Sequence, residues 1–247
     1  MRFNPKKYGL QKNYLYEIIA CTLSMKDNIS ELLPNSSCMG IRLGKNNHIK
    51  FGPYPSSKTF KNMKENGIIS INFSDNIYYY TLAALKGKLL PEKFRVFPQN
   101  YYEFHKMDLN KYEESIKGTF ETDHLEFPYI KDAWGVLFCE KFNEKQKMKR
   151  GGFEEKGKIT KFELKVVEFK KFHESFKLFN RAENLMLETI ILATRLKVAV
   201  EKSPNDFIRK INQEINKNID TIKRFGKNQE VLDSLELVEY YRNQLNV

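Results

Sequence analysis

Near residue 170 the hydrophobic pattern of the chain changes its period. Residues 14 to about 169 contain short apolar runs of strand-like composition. From 172 to 247 the apolar residues recur at the three- and four-residue spacing of one helix face. This change predicts an α+β chain with a mainly β N-terminal domain over residues 1–170 and a small all-α C-terminal domain over residues 171–247.

The N-terminal part predicts a closed or nearly closed antiparallel barrel. Connections between its strands leave little room for parallel crossovers. Two short helices are expected between the strands, one at 56–67 and one at 76–85 after an Asp75 cap. The predicted strands are Tyr14–Leu23, Cys38–Leu43, His48–Phe51, Ile68–Phe73, Ala133–Phe142 and Ile159–Phe169.

Two stretches of this part show no regular period. Residues 86–130 are rich in aromatic side chains and are expected to form an irregular insert, which is either a lid or partner surface or a decorated loop. Residues 141–158 are highly charged, contain glycine and are typical of a loop.

Three helices are expected in the C-terminal part, packed as a small bundle. The first covers about Phe172–Lys202. Ser203 and Pro204 begin the second, and Gly226 ends it. The third carries the apolar residues Val231, Leu235, Val238 and Tyr241.

The charge balance invites an anionic partner. Lysine and arginine number 42 against 31 aspartate and glutamate residues, a formal net charge of +11. A nucleic-acid binder with Tyr78–Tyr80 or Tyr101–Tyr102 as stacking platforms is one alternative. It ranks last, because tyrosines in such segments are more often buried in a core.

Several classes of site and location are disfavoured. No segment has the roughly 20 apolar residues of a membrane span and no signal peptide opens the chain, so a cytoplasmic protein without a membrane partner is expected. Three scattered cysteines and four isolated histidines lack the spacing of metal ligands, so no metal is expected. Motifs typical of hydrolases and of nucleotide-binding loops are also missing from the sequence.

The start of the first short helix suggests a phosphate site. Ser57, Lys58 and Thr59 follow a proline-rich turn and open the helix. Hydroxyl groups, unpaired amides and a lysine together can cradle a phosphate dianion. The alternative is that a serine only caps the helix.

A glycine inside the second predicted strand is the other notable feature. Gly40 lies between Met39 and Ile41, and Arg42 follows. Glycine in a strand interior often marks the close approach of a ligand. Arg42 then faces either that ligand or a surface carboxylate.

These segments together carry a resemblance. CMGIR at 38–42, SKTFKN at 57–62, ISINFSD at 69–75 and FNRAE at 179–183 resemble an uncharacterised archaeal family. Members of that family have an FMN-binding split β-barrel followed by a helical domain. The similarity covers residues 14–85 and from about 133 to the C-terminus.

The resemblance implies a homodimeric flavoprotein with FMN bound noncovalently at the subunit interface. The FMN phosphate is expected near Ser57 and Thr59, with Lys58 and Asn62 close by. The isoalloxazine ring of FMN is expected to lie along Met39, Gly40, Ile41 and Arg42. Asn72 on the next strand is a further candidate for binding the cofactor.

The implied activity is an oxidoreductase of unknown substrate. A flavin carries out redox chemistry without an acid or base from the protein, so the lack of a conventional catalytic motif does not oppose this function. The alternative is a carrier or sensor of flavin or deazaflavin that catalyses nothing.

Overall fold

The computed structural model describes residues 3–12, 14–25, 32–150, 156–174 and 180–245. The strands within these residues are β1 (Leu15–Met25), β2 (Leu32–Leu43), β3 (Ile49–Phe51), β4 (Ile68–Phe73), β5 (Tyr102–Asp108), β6 (His124–Ile130), β7 (Gly135–Arg150) and β8 (Lys156–Lys171). The α-helices are α1 (Lys58–Glu65), α2 (Ile77–Leu85), α3 (Glu114–Phe120), α4 (Arg181–Lys202), α5 (Asn205–Phe225) and α6 (Gln229–Asn243).

Six strands form a closed antiparallel barrel in the order β1-β2-β3-β8-β7-β4. Alternate residues point into it, as the two-residue period of a strand requires. Ile18, Ile41, Ile49, Ile71 and Leu137 are among its buried core residues. The predicted fold class, a mainly β barrel followed by helices, is confirmed.

The first compact unit also contains helix α1, which packs against β1, β2 and β4. Met63 reaches the barrel core from this helix and Phe60 packs against the same core. The opposite end of the helix, its N-terminus, starts at the surface with exposed Lys58. The packing of Met63 in the barrel core therefore determines the position of the first turn of α1.

The expectation of an irregular insert over 86–130 is wrong for its second half. There β5 and β6 pair as a two-stranded antiparallel sheet, with α3 between them. Met107 and Phe127 of this hairpin are fully buried in a cluster with Phe138 of the barrel. The sequence signal is weak because charged residues occupy the exposed positions and Pro128 interrupts β6, which is an edge strand.

The charged loop expected over 141–158 is also wrong. Strands β7 and β8 continue as a ribbon and remain paired as far as Arg150 and Lys156, while residues 151–155 lie outside the described residues. A strand whose pairing is set by its partner strand can lack a regular apolar alternation. The charged composition of this ribbon is therefore compatible with a strand as well as with a loop.

Helices α2, α4, α5 and α6 belong to a second compact unit. Helix α2 has seven buried residues out of nine and packs against α4 and α6. A helix that is apolar on nearly every side needs cover from several directions. The structure therefore groups residues 75–98 with the C-terminal helices, whereas the predicted division placed them in the barrel domain.

Helix boundaries differ from the predicted ones in two places. Asn76 caps α2, not Asp75, because the Asn76 side chain accepts a hydrogen bond from the Tyr78 amide at 2.9 Å. Helix α4 starts at Arg181 instead of residue 172, with Asn180 accepting from the Ala182 amide at 3.0 Å.

Strand β8 extends to Lys171, so the chain is still in the barrel next to the residue where the first C-terminal helix was expected to begin. Phe172 stacks on Tyr129 with ring centroids 5.6 Å apart, and the predicted helical residues Phe176 and Phe179 lie outside the described residues. The second helix agrees with expectation, since it ends before Gly226 and buries Ile211, Ile215, Ile219 and Ile222.

Candidate functional site

The first turn of α1 presents hydrogen-bond donors. The Ser57 hydroxyl caps the helix by accepting from the Phe60 amide at 3.1 Å. The backbone amides of Lys58 and Thr59 have no acceptor within the helix, because the first amides of any α-helix lack one. Lys58 is exposed beside them. This turn therefore combines the positive end of the helix dipole with an exposed cation, whereas Thr59 beside them is fully buried.

Thr59 and Asn62 face inward instead. Both side chains are buried, and the Thr59 hydroxyl donates to Ser37 Oγ at 3.0 Å while accepting from Asn35 Nδ2 at 3.2 Å. Asn62 Nδ2 donates to Thr22 Oγ1 at 2.9 Å. Both residues hold α1 on β1 and β2, so their polar atoms serve the frame beneath the helix start.

This buried polar row is a feature that the sequence reasoning missed. It contains Thr22, Asn35, Ser37, Thr59 and Asn62, with Ser24 donating to Asn62 Oδ1 at 3.2 Å. The available signal was the polar run Asn35-Ser36-Ser37 inside an otherwise apolar strand. Buried polar groups need partners, so such a run predicts a partner element across the strand.

The residues of β2 that were expected to contact the flavin ring divide between the two faces of the strand. Met39 and Ile41 face the barrel core, Met39 partly and Ile41 fully buried. Gly40 and Arg42 lie on the outer face, where Arg42 is exposed. An outer surface at this strand is therefore formed by the bare backbone of Gly40 and the guanidinium of Arg42.

Leu15 covers the outer face of Gly40. A Cβ atom added at Gly40 would lie 2.8 Å from Leu15 Cδ1 and 3.4 Å from Glu17 Oε1. Leu15 and its neighbour Tyr14 are themselves 53% and 61% exposed. The glycine thus lies under a flexible leucine at an open apolar surface, with the carboxylate of Glu17 beside it.

Asn72 is not brought to this surface. Its side chain is fully buried on β4, where Nδ2 donates to the Ile19 carbonyl at 2.9 Å and Oδ1 accepts from the Ile130 amide at 2.8 Å. Asn72 joins the barrel to the β5–β6 hairpin. Close to it, Ser36 donates to the Tyr102 hydroxyl at 2.8 Å, so a second buried network fastens the same hairpin.

Clefts of 590 and 670 Å³ lie elsewhere in the first unit. They are lined mainly by the N-terminal segment 4–12, together with Leu43 and Asn47 in one and Phe169, Lys171 and Glu174 in the other. Neither cleft is lined by the start of α1 or by Gly40.

Thiol and metal chemistry have little to build on in the described residues. Cys21, Cys38 and Cys139 form no disulfide within the described residues, and burial raises the pKa of the Cys139 thiol. No group of three or more His, Cys, Asp or Glu side chains in this part of the chain could hold a metal ion. None of the described helices is both long enough and apolar enough to cross a bilayer.

The fold and the helix start together define a barrel protein with a C-terminal helical unit and a surface suited to an anion. Residues 16–170 match the family described as protein of unknown function (DUF447) N-terminal domain, and residues 180–239 match protein of unknown function (DUF447). The chain belongs to this DUF447 family. No curated protein sequence matches it.

Solved structures share this fold. An FMN-bound DUF447 protein from Methanosarcina mazei superposes with a TM-score of 0.67 at 15% identity, over 96% of this chain and 100% of that one. Flavoredoxin from Methanosarcina acetivorans gives a TM-score of 0.42 at 15% identity, over 72% of this chain and 77% of that one. The Methanosarcina mazei protein is similar to this chain in fold.

Proposed function

We propose that the chain binds FMN noncovalently at a homodimer interface and uses it in a redox reaction. The observation that carries this proposal is the first turn of α1, where exposed Lys58 and the partly exposed Ser57 cap stand together at the positive end of the helix dipole. The FMN described in the Methanosarcina mazei relative supports the choice of ligand.

The residues at the helix start fit a phosphate. A phosphate dianion needs several donors and a positive potential, which helix amides and one lysine supply. Ser57 can bridge the ligand and the helix, whereas the Thr59 hydroxyl is committed to Ser37 and Asn35. Thr59 and Asn62, both buried, are therefore positioning residues in this proposal.

The ring end fits on the outer face of β2. Gly40 leaves the strand backbone approachable once Leu15 turns aside, and Arg42 supplies positive charge on the same face. Met39 and Ile41 support this strand from the core. A bound flavin supplies hydride or single-electron transfer, and a cation near its pyrimidine edge favours the reduced, anionic form.

A second copy of the chain would complete the site. One strand face with a single glycine makes a shallow surface, and a planar ligand needs a wall on its other side. Tyr14 and Leu15 are large, apolar and more than half exposed at this face. A twofold contact that covers them supports both the dimer and the slot.

The decisive experiment compares FMN with riboflavin on the purified full chain. Flavin absorbance bands, or uptake of added FMN, are expected. Lys58→Ala should weaken FMN about tenfold and riboflavin hardly at all, because only FMN carries the phosphate. Lys61→Ala, an exposed lysine one turn further along α1, is the matched control. Colourless protein that ignores FMN would refute the proposal, and equal losses for both ligands would remove the phosphate assignment.

Two further measurements separate the parts of the proposal. Leu15→Glu should shift sedimentation from dimer to monomer and weaken FMN and riboflavin together, since it places a charge in the proposed interface. Anaerobic reduction of the bound flavin by NADH, NADPH or a reduced deazaflavin, followed by turnover, identifies an enzyme. Flavin that binds tightly and is reduced by none of them identifies a carrier or sensor.

A further inference from the structure

A second candidate site lies on the barrel surface between the β2–β3 turn and strand β7. It is a groove of about 360 Å³ whose lining includes Lys45, His48, Phe142 and Lys145. The rings of His48 and Phe142 lie 4.6 Å apart and are tilted by 56°. Phe142 is 57% exposed, so this aromatic pair offers a ring face to solvent.

A β-bulge aims Phe142 at the groove. Lys141 pairs with Leu164 and Asn143 with Glu163, so Phe142 is the extra residue between them. A bulge re-aims a side chain and is a local departure from the regular ladder. A large aromatic residue left more than half exposed at such a place contributes little burial to the fold.

The groove carries net positive charge. Lys50 and Lys145 lie 3.3 and 3.7 Å from the Glu163 carboxylate, and Lys45 stands beside them. Burial acts to raise the pKa of Glu163, but the hydrogen bond from Lys50 and the charge of Lys145 outweigh it and leave that pKa below its ordinary value. Two ammonium groups therefore pair with the Glu163 carboxylate, and Lys45 adds a third positive charge to the lining of the groove.

Lys50 is held in place by a glycine. A Cβ atom at Gly44 would lie 2.6 Å from Lys50 Cε and 3.2 Å from Lys50 Cδ, so the aliphatic stem of the lysine crosses the bare glycine backbone. The stem directs the ammonium group to Glu163. Glu163 in turn stands between Lys50 and Lys145, which arranges the positive charge around the aromatic pair.

We infer that this groove binds a mononucleotide, with its base against Phe142 and His48 and its phosphate held by Lys45 and Lys145. A planar ring beside ammonium groups matches a base with an attached phosphate, because stacking and charge are satisfied at once. A volume of about 360 Å³ suits one nucleotide unit.

A single-stranded nucleic acid fits the surface less well. Polymer-binding grooves use a track of several aromatic platforms. Of the tyrosines that the sequence offered for this purpose, Tyr79, Tyr80 and Tyr102 are buried at 5–7% exposure, and Tyr78 and Tyr101 are partly buried. The groove thus has one compact aromatic platform, which favours a single base.

The inference does not depend on the flavin proposal, and its test uses the FMN-saturated full chain. AMP, adenosine and inorganic phosphate are titrated by calorimetry, with fluorescence of Phe142→Trp as a second reporter. AMP should bind saturably and more tightly than either fragment. Phe142→Ala and Lys145→Glu should each weaken AMP about tenfold, the usual effect of losing one stacking platform or one ionic contact.

Matched controls come from β5 on the same unit. Phe104→Ala and Lys106→Glu remove an exposed phenylalanine and an exposed lysine elsewhere, and both should leave AMP binding unchanged. Protein without added FMN should bind AMP equally well. This arm separates failure of the groove from failure of the flavin site.

Three results would overturn the inference. Absence of saturable AMP binding removes the site, and inorganic phosphate binding as tight as that of AMP removes the stacking. Binding of a twelve-nucleotide single strand without binding of AMP identifies a nucleic-acid surface instead. If Phe142→Ala weakens FMN in place of AMP, the groove belongs to the flavin.

Discussion

The Oδ1 atom of Asn72 accepts a hydrogen bond from the backbone amide of Ile130 at 2.8 Å, joining barrel strand β4 to the end of β6. The same side chain donates to the Ile19 carbonyl on β1. One fully buried amide thus connects three strands, two of the barrel and one of the hairpin. Resemblance had placed Asn72 among the flavin ligands, and its contacts give it this connecting role.

Replacement of Asn72 should loosen the hairpin first. Asn72→Ala leaves the Ile130 amide and the Ile19 carbonyl buried without this partner, which costs about 1–3 kcal/mol for each group. Hydrogen exchange should show the Ile130 amide losing protection. Asn110→Ala, at an exposed residue with local bonds, is the control and should change stability by less than about 0.5 kcal/mol. Unchanged exchange at Ile130 would contradict the assignment.

Thr59→Val should lower the free energy of unfolding and leave the preference for FMN over riboflavin unchanged. The variant keeps the shape of the side chain but removes the hydroxyl that bridges Asn35 and Ser37, so the free energy of unfolding should fall by about 1–3 kcal/mol. Denaturant unfolding measures this loss, and Thr119→Val at a more exposed hydroxyl is the control. A selective loss of FMN relative to riboflavin would instead place the hydroxyl on the phosphate.

Gly40→Val should weaken the whole flavin, in contrast to Lys58→Ala. The new side chain meets Leu15 and Glu17 on the outer face of β2 and occupies the surface proposed for the ring. FMN and riboflavin should therefore lose affinity by the same factor, about tenfold or more. Gly118→Ala, where a Cβ meets nothing within 4 Å, should leave both affinities unchanged.

Stability should fall in mild acid because of His105. Its Nε2 lies 3.3 Å from Glu168 and its Nδ1 lies 2.9 Å from Lys170 Nζ. Burial, reinforced by the positive charge of Lys170, holds the pKa of His105 below its ordinary value of 6.5.

Below pH 6.5 the unfolded chain thus binds more protons than the folded protein, and the free energy of unfolding decreases as the pH falls. Denaturant melts from pH 7.5 to 5 should show this slope, and His105→Gln should flatten it. An equal slope in the variant would assign the effect to other groups. Lys106→Gln, an exposed neighbour, is the control.

Lys165 protects a buried carboxylate. Its ammonium lies 2.7 Å from Glu140 Oε1, and Glu140 is fully buried while its other oxygen accepts from the Glu113 amide at 2.8 Å. Lys165→Met should cost about 3–5 kcal/mol because it leaves an unpaired buried charge. The double variant with Glu140→Gln should recover part of that loss in a thermal or denaturant melt. Strict additivity of the two changes would contradict the pairing.

Local sequence patterns predicted the elements whose own residues carry a recognisable apolar pattern. The barrel strands could be predicted from short apolar runs, and the buried isoleucines of α5 because they recur on one helix face. The β5–β6 hairpin and the β7–β8 ribbon could not, since their positions depend on distant partners such as Phe138 and Asn72. The local hydrophobic period of a segment carries no information about pairing partners that are distant in the sequence.

The candidate site shows the same limit. The cap at Ser57 follows from sequence alone, because hydroxyl caps obey a local rule. The inward direction of Thr59 depends on Ser37 and Asn35, which lie 22 and 24 residues away. The Phe142 bulge likewise depends on how β7 pairs with β8 and has no local signature.

The β7–β8 ribbon has a further consequence. Beyond Asn143, β7 pairs only with β8 in the described part of the chain, so the ribbon has open edges where the barrel has none. Open edges invite sheet extension between molecules, and lysine-rich edges oppose it by mutual repulsion. This basic ribbon therefore keeps neighbouring molecules apart at low ionic strength, and concentrated salt, which screens that repulsion, should drive them toward fibrillar association.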